Sequence, residues 1–273
     1  MSGDIRPIAV FDSGVGGLPY LDSARSILPD ERFAYLADRG GFPYGTKTRA
    51  EVRERVLEVV GAIVARLDPK VLLIACNTAS QAALDAVRKA HPGLAVVGTV
   101  PAVKPAAQRT KSGVIGVMAT ARAVADPYLD ELVARHAPRA RVVREAAQEL
   151  VAFVEREYPE AATERRRAAV EPHVRRLLAA GADEIVLACT HFLHVAGDIA
   201  AVAGSAAEVV DSRDGVARRL RQVLQERGLA APPGSGPAPR GVLFLTGPLP
   251  FEPSYGRFAE RFGLDGPEAL EPR

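Results

Sequence analysis

Two cysteines are the only thiols of the chain, and they occupy matched positions. Each ends a short apolar run that finishes in alanine: Cys76 follows residues 71–75, and Cys189 follows residues 184–188. Two polar residues come next in each case. In open α/β sheets, ligands bind beyond the carboxyl ends of the strands, which is where both thiols are predicted to lie. A lone cysteine is often a small buried hydrophobe, but two in matched settings favour a function.

Two thiols on opposite faces of a cleft suit stereoinversion, in which a proton leaves one face of a carbon and another arrives at the opposite face. A single rigid base tends to return the proton to the face it left. A thiol, with a reference pKa of about 8.5, can be tuned so that one is thiolate while the other is protonated. A disulfide oxidoreductase would favour Cys-x-x-Cys, which the sequence lacks. Redox sensing is the weaker alternative.

A glycine-rich turn at residues 14–17 follows Asp12 and Ser13. Pro19 stands where a dinucleotide fingerprint needs its third glycine, and no Gly-Lys-Ser/Thr follows, so neither nucleotide motif fits. The backbone N–H groups of such a turn can bind an anion such as a carboxylate. Asp12 is a candidate general base or a group that orients a thiol, and helix capping is its alternative role.

Cys189, His191 and His194 have a spacing that could supply three metal ligands. A structural zinc site needs four ligands, and no further Cys/His pair lies nearby, so we predict no metal. His191 is better interpreted as a proton partner for the Cys189 thiol. We expect His194 to be a helix residue without a catalytic role.

Composition excludes several classes of protein. The 273 residues are 48% apolar and 25% charged, and 35 Lys+Arg against 33 Asp+Glu give a net charge of +2. This composition is typical of a globular protein. The small net charge creates no overall electrostatic field that would attract nucleic acid or an anionic membrane. The Arg-rich segment 164–167 has acidic neighbours and is expected to form a solvated helix face. With no signal peptide or spanning segment recognised, we expect a cytoplasmic protein with reduced thiols.

Short apolar runs alternate with longer amphipathic segments, which predicts parallel α/β units. Many of the runs are apolar without alternating polar residues, as expected when both faces of a parallel sheet are covered. We predict a doubly wound α/β protein with helices that include 48–67 and 163–180. The predicted strands are 8–11, 32–36, 71–75, 95–99, 113–118, 141–145, 184–188, 207–210 and 242–246. The last follows a Pro/Gly-rich linker at 231–239, so we expect it to return to an earlier sheet.

Taken together, five motifs resemble the glutamate racemase family, within the cofactor-independent aspartate/glutamate racemase superfamily. The resemblance runs over nearly the whole chain, and the two cysteine motifs are its most specific part. The motifs are residues 11–18 (Phe-Asp-Ser-Gly-Val-Gly-Gly-Leu), Pro43-Tyr44-Gly45, Ala75-Cys76-Asn77-Thr78-Ala79, Ala188-Cys189-Thr190-His191 and Phe244-Leu245-Thr246-Gly247.

The resemblance implies two similar doubly wound α/β domains with parallel-type sheets and an active site in the cleft between them. The first domain would be residues 1–99 completed by 210–273, and the second 100–209. The implied activity is interconversion of L- and D-glutamate, which supplies D-glutamate for peptidoglycan. It implies glutamate as the small-molecule partner and no metal, pyridoxal phosphate or nucleotide. We expect neither a nucleic-acid nor a membrane partner, and we keep a homodimer open.

The resemblance also implies roles for residues. Cys76 would serve one face of the substrate and Cys189 the other, with Asp12 assisting the first thiol and His191 the second. Hydrogen bonds to the substrate carboxylate would have to stabilise the carbanion. The implied substrate-binding residues are Asp12, Ser13, Pro43, Tyr44, Gly45, Asn77, Thr78, Thr120, Thr190 and His191.

Six residues at four places in the sequence depart from the usual family pattern, and none of these changes removes a proposed acid or base. They leave two questions open: whether the substrate is glutamate or aspartate, and how the activity is regulated. A non-catalytic ligand-binding or redox-sensing module on this scaffold is the alternative from another class. The departures are Gly41 in place of Arg, Ala123 in place of Thr, Ala147-Gln148 in place of Cys-Pro, and Phe192-Leu193 in place of an aromatic-Pro pair.

Overall fold

A computed structural model describes residues 3–232, 234 and 239–272, so part of the Pro/Gly-rich linker lies outside the described residues. The strands in these ranges are β1 Ile8–Asp12, β2 Phe33–Ala37, β3 Val71–Ile74, β4 Ala95–Gly98, β5 Val114–Ala119, β6 Arg141–Ala146, β7 Glu184–Leu187, β8 Glu208–Val210, β9 Gly241–Leu245 and β10 Leu264–Ala269. The helices are α1 Leu18–Ile27, α2 Arg49–Leu67, α3 Asn77–Ala90, α4 Val103–Arg109, α5 Ala121–Val124, α6 Pro127–His136, α7 Gln148–Arg156, α8 Thr163–Ala179, α9 Ala196–Ala203, α10 Arg213–Glu226 and α11 Pro253–Arg261.

The chain divides into two compact units. The first unit comprises Met1–Thr99 and Arg213–Arg273, and the second unit comprises Val100–Ser212. Each unit contains one of the two cysteines. Among the helices that the structure describes, none has the length and apolar character needed to cross a bilayer.

The first unit is built on a parallel sheet of strand order β10-β9-β2-β1-β3-β4. Its central strands β1, β2 and β3 are buried along their whole length, because helices cover both faces. Strand β9 pairs with β2, with Tyr35 opposite Leu243. The prediction that this strand returns to an earlier sheet is confirmed.

Helix α2 shows how the sequence fixes an element against this sheet. Thr48 caps its first turn by accepting a hydrogen bond from the Glu51 N–H, and the Glu51 side chain accepts one from the Thr48 N–H. This capping box satisfies two donors that a helix start leaves unpaired. Val52 and Val56 lie four residues apart on one face and join the apolar core beside the sheet.

The second unit contains a four-stranded parallel sheet of order β6-β5-β7-β8. Strands β5 and β7 lie next to each other, with Met118 opposite Leu187. The residues that follow these two strands, Thr120 and Cys189, therefore emerge at the same edge of the sheet. The predicted parallel α/β fold is confirmed in both units.

All nine predicted strands are present within one residue at each end, and the structure adds β10. The sequence Leu-Asp-Gly-Pro-Glu-Ala of β10 shows neither alternation nor an apolar run. It pairs with β9 at the edge of the sheet, and its register shifts between Asp265 and Glu268. An edge strand tolerates proline and a bulge because one side of its backbone is unpaired.

The Arg-rich segment lies at the start of α8, as predicted, but it is not simply a solvated face. Arg165 lies over the Phe153 ring, 4.9 Å from its centroid, and forms an ion pair with Glu157. Arg166 forms an ion pair with Asp198 at 2.9 Å. Two of these arginine charges are therefore engaged within the second unit.

Candidate active site

Strand pairing brings Asp12 and Cys76 to the same edge of the first sheet. Strands β1 and β3 are neighbours in register, with Phe11 opposite Ile74. The Ala75 N–H continues this ladder by donating to the Phe11 carbonyl at 2.7 Å. Cys76 is the next residue and forms the N-cap of α3. The thiol is thus placed at the junction of a buried strand and a helix, as the sequence predicts.

The Cys76 thiol is buried in a polar setting. The residue is 5% exposed, and its Sγ lies 3.8 Å from the Ser13 Oγ. Burial raises the pKa of the Cys76 thiol well above its usual value, and the charge of Asp12 and a hydrogen bond with it raise the pKa further. The backbone N–H groups of Ala79 and Ser13 oppose this shift. Burial and the Asp12 charge thus both favour the protonated form of Cys76, and loss of the Asp12 charge would ease formation of its thiolate.

Asn77 and Thr78 form the first turn of α3 and are both buried. The side-chain Nδ2 and Oδ1 atoms of Asn77 have no hydrogen-bond partner within the described residues. Leaving a buried polar group unpaired costs about 1–3 kcal/mol, so such groups mark places where a polar ligand binds. The first N–H groups of a helix are also available to an anion.

The glycine-rich turn is held against β2 and β3 by Tyr35. The Tyr35 hydroxyl accepts from the Gly17 N–H at 3.0 Å and donates to the Gly14 carbonyl at 2.8 Å. A Cβ on Gly17 would lie 2.8 Å from the Ala75 Cβ and 2.9 Å from the Tyr35 hydroxyl. Glycine is needed here because the turn approaches the residue before Cys76 so closely.

We expect Gly17→Ala to lower the free energy of unfolding by about 1–3 kcal/mol, because the added methyl group overpacks the contact with Ala75. Gly61→Ala is the matched control: Gly61 lies inside α2, and apart from its chain neighbours and the helix's own backbone nothing lies within 4 Å of the position that the added methyl group would take. That change should stabilise the protein by about 0.5–1 kcal/mol through helix propensity. Urea unfolding of both variants measures the two effects. Equal stability changes would contradict the close approach.

Tyr44 belongs to a short helical turn over Tyr44–Thr46, flanked by Pro43 and including Gly45. Its side chain is buried, and its hydroxyl donates to the Asp38 Oδ2 at 2.7 Å. Burial raises the pKa of the Tyr44 hydroxyl, and the Asp38 charge and Cys76 add to the rise. Tyr44 and Cys76 both belong to the buried cluster beside the first sheet. The predicted residues of the first unit therefore come together around Cys76.

Cys189 follows β7 in the second unit and is also buried. Unlike Cys76, it is followed by a 3₁₀ turn, Thr190–Leu193, before α9 starts. The Phe192 N–H bonds to the Cys189 carbonyl, which is the three-residue pattern of that turn. His194 lies in the turn rather than in a helix, with its ring packed edge-on against Tyr158.

His191 is hydrogen-bonded to Glu155, a residue that the sequence did not single out. The His191 Nε2 lies 2.9 Å from the Glu155 Oε2, and the two side chains are 2% and 5% exposed. An ionised carboxylate only accepts hydrogen bonds, so its bond with the imidazole requires a proton on Nε2. Glu155 is buried with the apolar residues Val151 and Val154 of α7. An acid on the apolar face of a helix was the signal that could have found it.

Two further observations complete the second unit. Thr120 follows β5 and uses its Oγ1 to accept from the Ala123 N–H at 3.2 Å, so it caps the short helix α5. Within the described ranges, no three His, Cys, Asp or Glu side chains are grouped as metal ligands. Thr190 and His191 both follow Cys189 directly, as the sequence requires.

Comparison with known proteins gives the family. The sequence profile of the Asp/Glu/hydantoin racemases matches residues 21–220. A glutamate racemase of Roseiflexus sp. (strain RS-1) is 41% identical over 227 residues, which cover 82% of this chain and 81% of the relative.

Solved structures agree. The Escherichia coli glutamate racemase, solved with L-glutamate and the activator UDP-MurNAc-Ala, gives a TM-score of 0.82 at 33% identity over 97% of each chain. Glutamate racemase isoform RacE1 of Bacillus anthracis gives 0.75 at 27% identity, covering 97% of this chain and 96% of that one. The chain belongs to the Asp/Glu/hydantoin racemase family.

Proposed function

We propose that this protein interconverts L- and D-glutamate without a metal or organic cofactor, and thereby supplies D-glutamate for peptidoglycan synthesis. The observation that carries the proposal is the repeated placement of a buried thiol after a strand of a parallel sheet, once in each unit. The Asp12 carboxylate acts on Cys76. Cys189 is followed two residues later by His191, which is hydrogen-bonded to the Glu155 carboxylate. The glutamate racemases among its relatives support the choice of substrate.

The reaction needs one proton to leave and another to arrive. In one direction, one cysteine as thiolate takes the α-proton, so that a C–H bond breaks and an S–H bond forms. The carbanion then takes a proton from the other cysteine, whose S–H bond breaks as the new C–H bond forms on the opposite face. The reverse reaction exchanges the two roles. Cys76, held as a thiol by burial and by Asp12, is set to act as the proton donor.

Asp12 and His191 complete the proton transfers. When Cys76 has to act as the base, its proton can move to Asp12, which removes the negative charge that opposes the thiolate. His191 stands two residues after Cys189, and Glu155 fixes its ring through Nε2. A carboxylate that orients an imidazole for proton transfer is a recurrent catalytic arrangement. We therefore add Glu155 to the proposed machinery as the residue that orients His191.

We assign substrate binding to groups that donate hydrogen bonds, because the proposed reaction uses no cofactor that could delocalise the charge of the carbanion. The carboxylate would be held by backbone N–H groups at the turn after β1, at the Tyr44 turn and at the start of α3, where fixed donors stabilise the charge that develops. The proposed side-chain contacts are Ser13, Tyr44, Asn77, Thr78, Thr120, Thr190 and His191, with Pro43 and Gly45 shaping one turn.

We further propose that the two units are the functional domains and that the protein works in the cytoplasm. Each unit has its own parallel sheet and contributes one thiol. Both cysteines are free thiols, which is the form that a reducing compartment preserves and that proton transfer requires.

The test is incubation of the purified protein with L-glutamate in D2O, with a parallel incubation with L-aspartate. Loss of the α-proton NMR signal together with appearance of D-glutamate, with and without a chelator, supports the proposal. Absence of exchange on both amino acids would refute it. Exchange on aspartate alone would assign the two-thiol chemistry to the other acidic substrate.

A further inference from the structure

Asp38 is a fully buried carboxylate in the first unit that receives four hydrogen bonds. Its Oδ2 accepts from the Tyr44 hydroxyl at 2.7 Å and from the Arg55 Nε at 2.9 Å. Its Oδ1 accepts from the Arg55 Nη2 at 2.6 Å and from the Thr246 Oγ1 at 2.5 Å. We call these four residues the Asp38 cluster. A two-pronged Arg–carboxylate pair with every oxygen engaged is a rigid arrangement.

The members of the Asp38 cluster come from separate segments of the first unit. Asp38 directly follows β2, Arg55 lies on α2, and Thr246 directly follows β9. Thr246 also accepts from the Gly40 N–H at 2.9 Å, so it ties the segment between β2 and the Tyr44 turn to the end of β9. The Tyr44 ring packs near Phe11, with the centroids 6.5 Å apart. The cluster thus joins the Tyr44 turn to three elements of the unit.

We propose that Arg55 and Thr246 are positioning residues for the Cys76 half of the active site, because they fix and neutralise the Asp38 carboxylate that holds the Tyr44 hydroxyl, and Tyr44 belongs to the same buried cluster as Cys76. This inference rests on the proposed function and adds two residues to it that do not themselves touch the substrate.

Gly41 shows how closely the carboxylate is fitted. A Cβ at this position would lie 2.1 Å from the Asp38 Oδ2, and 3.0 Å from the Tyr44 ring. Movement of the carboxylate could relieve the clash, but Tyr44 and Arg55 hold it. Glycine therefore suits position 41 in this arrangement, because the carboxylate fills the space that a side chain would take.

Besides fixing the Asp38 carboxylate, Arg55 neutralises its charge. Burial raises the pKa of the Tyr44 hydroxyl, the charge of Asp38 adds to the rise, and Arg55 opposes it. Cys76 already faces the negative charge of Asp12. Without Arg55, Asp38 would be an uncompensated buried negative charge next to Tyr44, which shares a buried cluster with Cys76, and a buried negative charge disfavours a second one in its neighbourhood.

Two neighbouring charged groups, Glu58 and Arg39, have ion-pair partners of their own. Arg55 also contacts Glu58 on α2, with its Nη1 2.9 Å from the Glu58 Oε2, and Glu58 is half-exposed. Arg39, on the neighbouring turn, is paired with Glu252. Arg55 is thus the cation that meets the buried Asp38 carboxylate directly.

The experiment uses Arg55→Met, which keeps the length of the side chain and removes its charge, with Arg53→Met as the control on an exposed position of the same helix. In a Cys189→Ser background, Cys76 is the single remaining thiol, and its iodoacetamide alkylation is followed by mass spectrometry across pH. We expect Arg55→Met to slow alkylation at pH 8 about tenfold, because the unneutralised Asp38 disfavours the thiolate. The double variant Asp38→Asn/Arg55→Met should recover to within about threefold.

If the role of Arg55 were purely structural, removing the charge of Asp38 would not restore the alkylation rate of Cys76. An alkylation profile of Arg55→Met that superimposes on that of Arg53→Met would overturn the proposal, as would a double variant as slow as the single one. Should Arg55→Met not fold, Thr246→Val provides the second test. It removes one neutral donor and, with both cysteines present, is expected to lower kcat about fivefold. An unchanged kcat there would also overturn the proposal.

Alkylation does not depend on turnover. A protein that shows the Arg55 effect but exchanges no α-proton would refute the proposed function and leave this inference standing. A protein that racemises glutamate but lacks the Arg55 effect would do the reverse.

Discussion

Replacing either cysteine by serine is expected to lower the rate of glutamate racemisation by about 10²–10⁴-fold in both directions, the usual contribution of a positioned general acid or base. A serine hydroxyl ionises far less readily than a thiol, so one face of the substrate loses its proton carrier. Cys76→Ser and Cys189→Ser should behave alike in this assay, although their surroundings differ. The measurement is the change of optical rotation or circular dichroism from each enantiomer.

Exchange of the α-proton in D2O tests the two faces of the substrate separately. In D2O, each single variant should still remove the α-proton of one enantiomer through its remaining thiol, while the other enantiomer stays protonated. Urea unfolding provides the control, since serine is close to cysteine in size and both positions are buried. Normal racemisation by either folded variant would refute the two-thiol mechanism.

Asp12→Asn is expected to change reactivity and catalysis in opposite directions. The Asp12 carboxylate raises the pKa of the Cys76 thiol, so a neutral amide should let that pKa fall towards its ordinary value of about 8.5. At pH 8 the thiolate fraction rises, and Cys76 should be alkylated about tenfold faster. Racemisation should nevertheless fall about 10²-fold, because the group that takes the proton of Cys76 is gone.

The two readouts are obtained on the same variant, with alkylation measured in the Cys189→Ser background and turnover with both thiols present. Ser13→Ala is a suitable comparison, because it removes the hydroxyl 3.8 Å from the Cys76 Sγ but no charge. It should leave the pH dependence of alkylation nearly unchanged. Slower alkylation of Asp12→Asn would contradict the assigned influence of Asp12.

The sequence predicted the features that depend on local pattern. Each cysteine stands after an unbroken apolar run, and such runs become buried parallel strands, so the positions of Cys76 and Cys189 at sheet edges follow directly. Asp12 could be found in the same way, since it ends β1, beside β3.

Features that depend on tertiary contact were not found. Glu155 is 36 positions from His191, and no local pattern connects the two residues. Arg55 is one of several charged residues on α2, and its contact with Asp38 depends on how that helix packs on the sheet. Strand β10 has no strand-like pattern because its pairing with β9 is an edge contact made largely by backbone.

The insertion of β9 beside β2 has a consequence for the order of synthesis. The ribosome delivers Gly241–Leu245 only after the whole second unit has been made, although the first unit was begun earlier. Until then, the edge of β2 that β9 covers is open, and Asp38 lacks its bond from Thr246. The second unit is contiguous and can fold during translation. The Cys76 half of the machinery therefore matures last, and a prematurely terminated polypeptide would carry both thiols yet remain inactive.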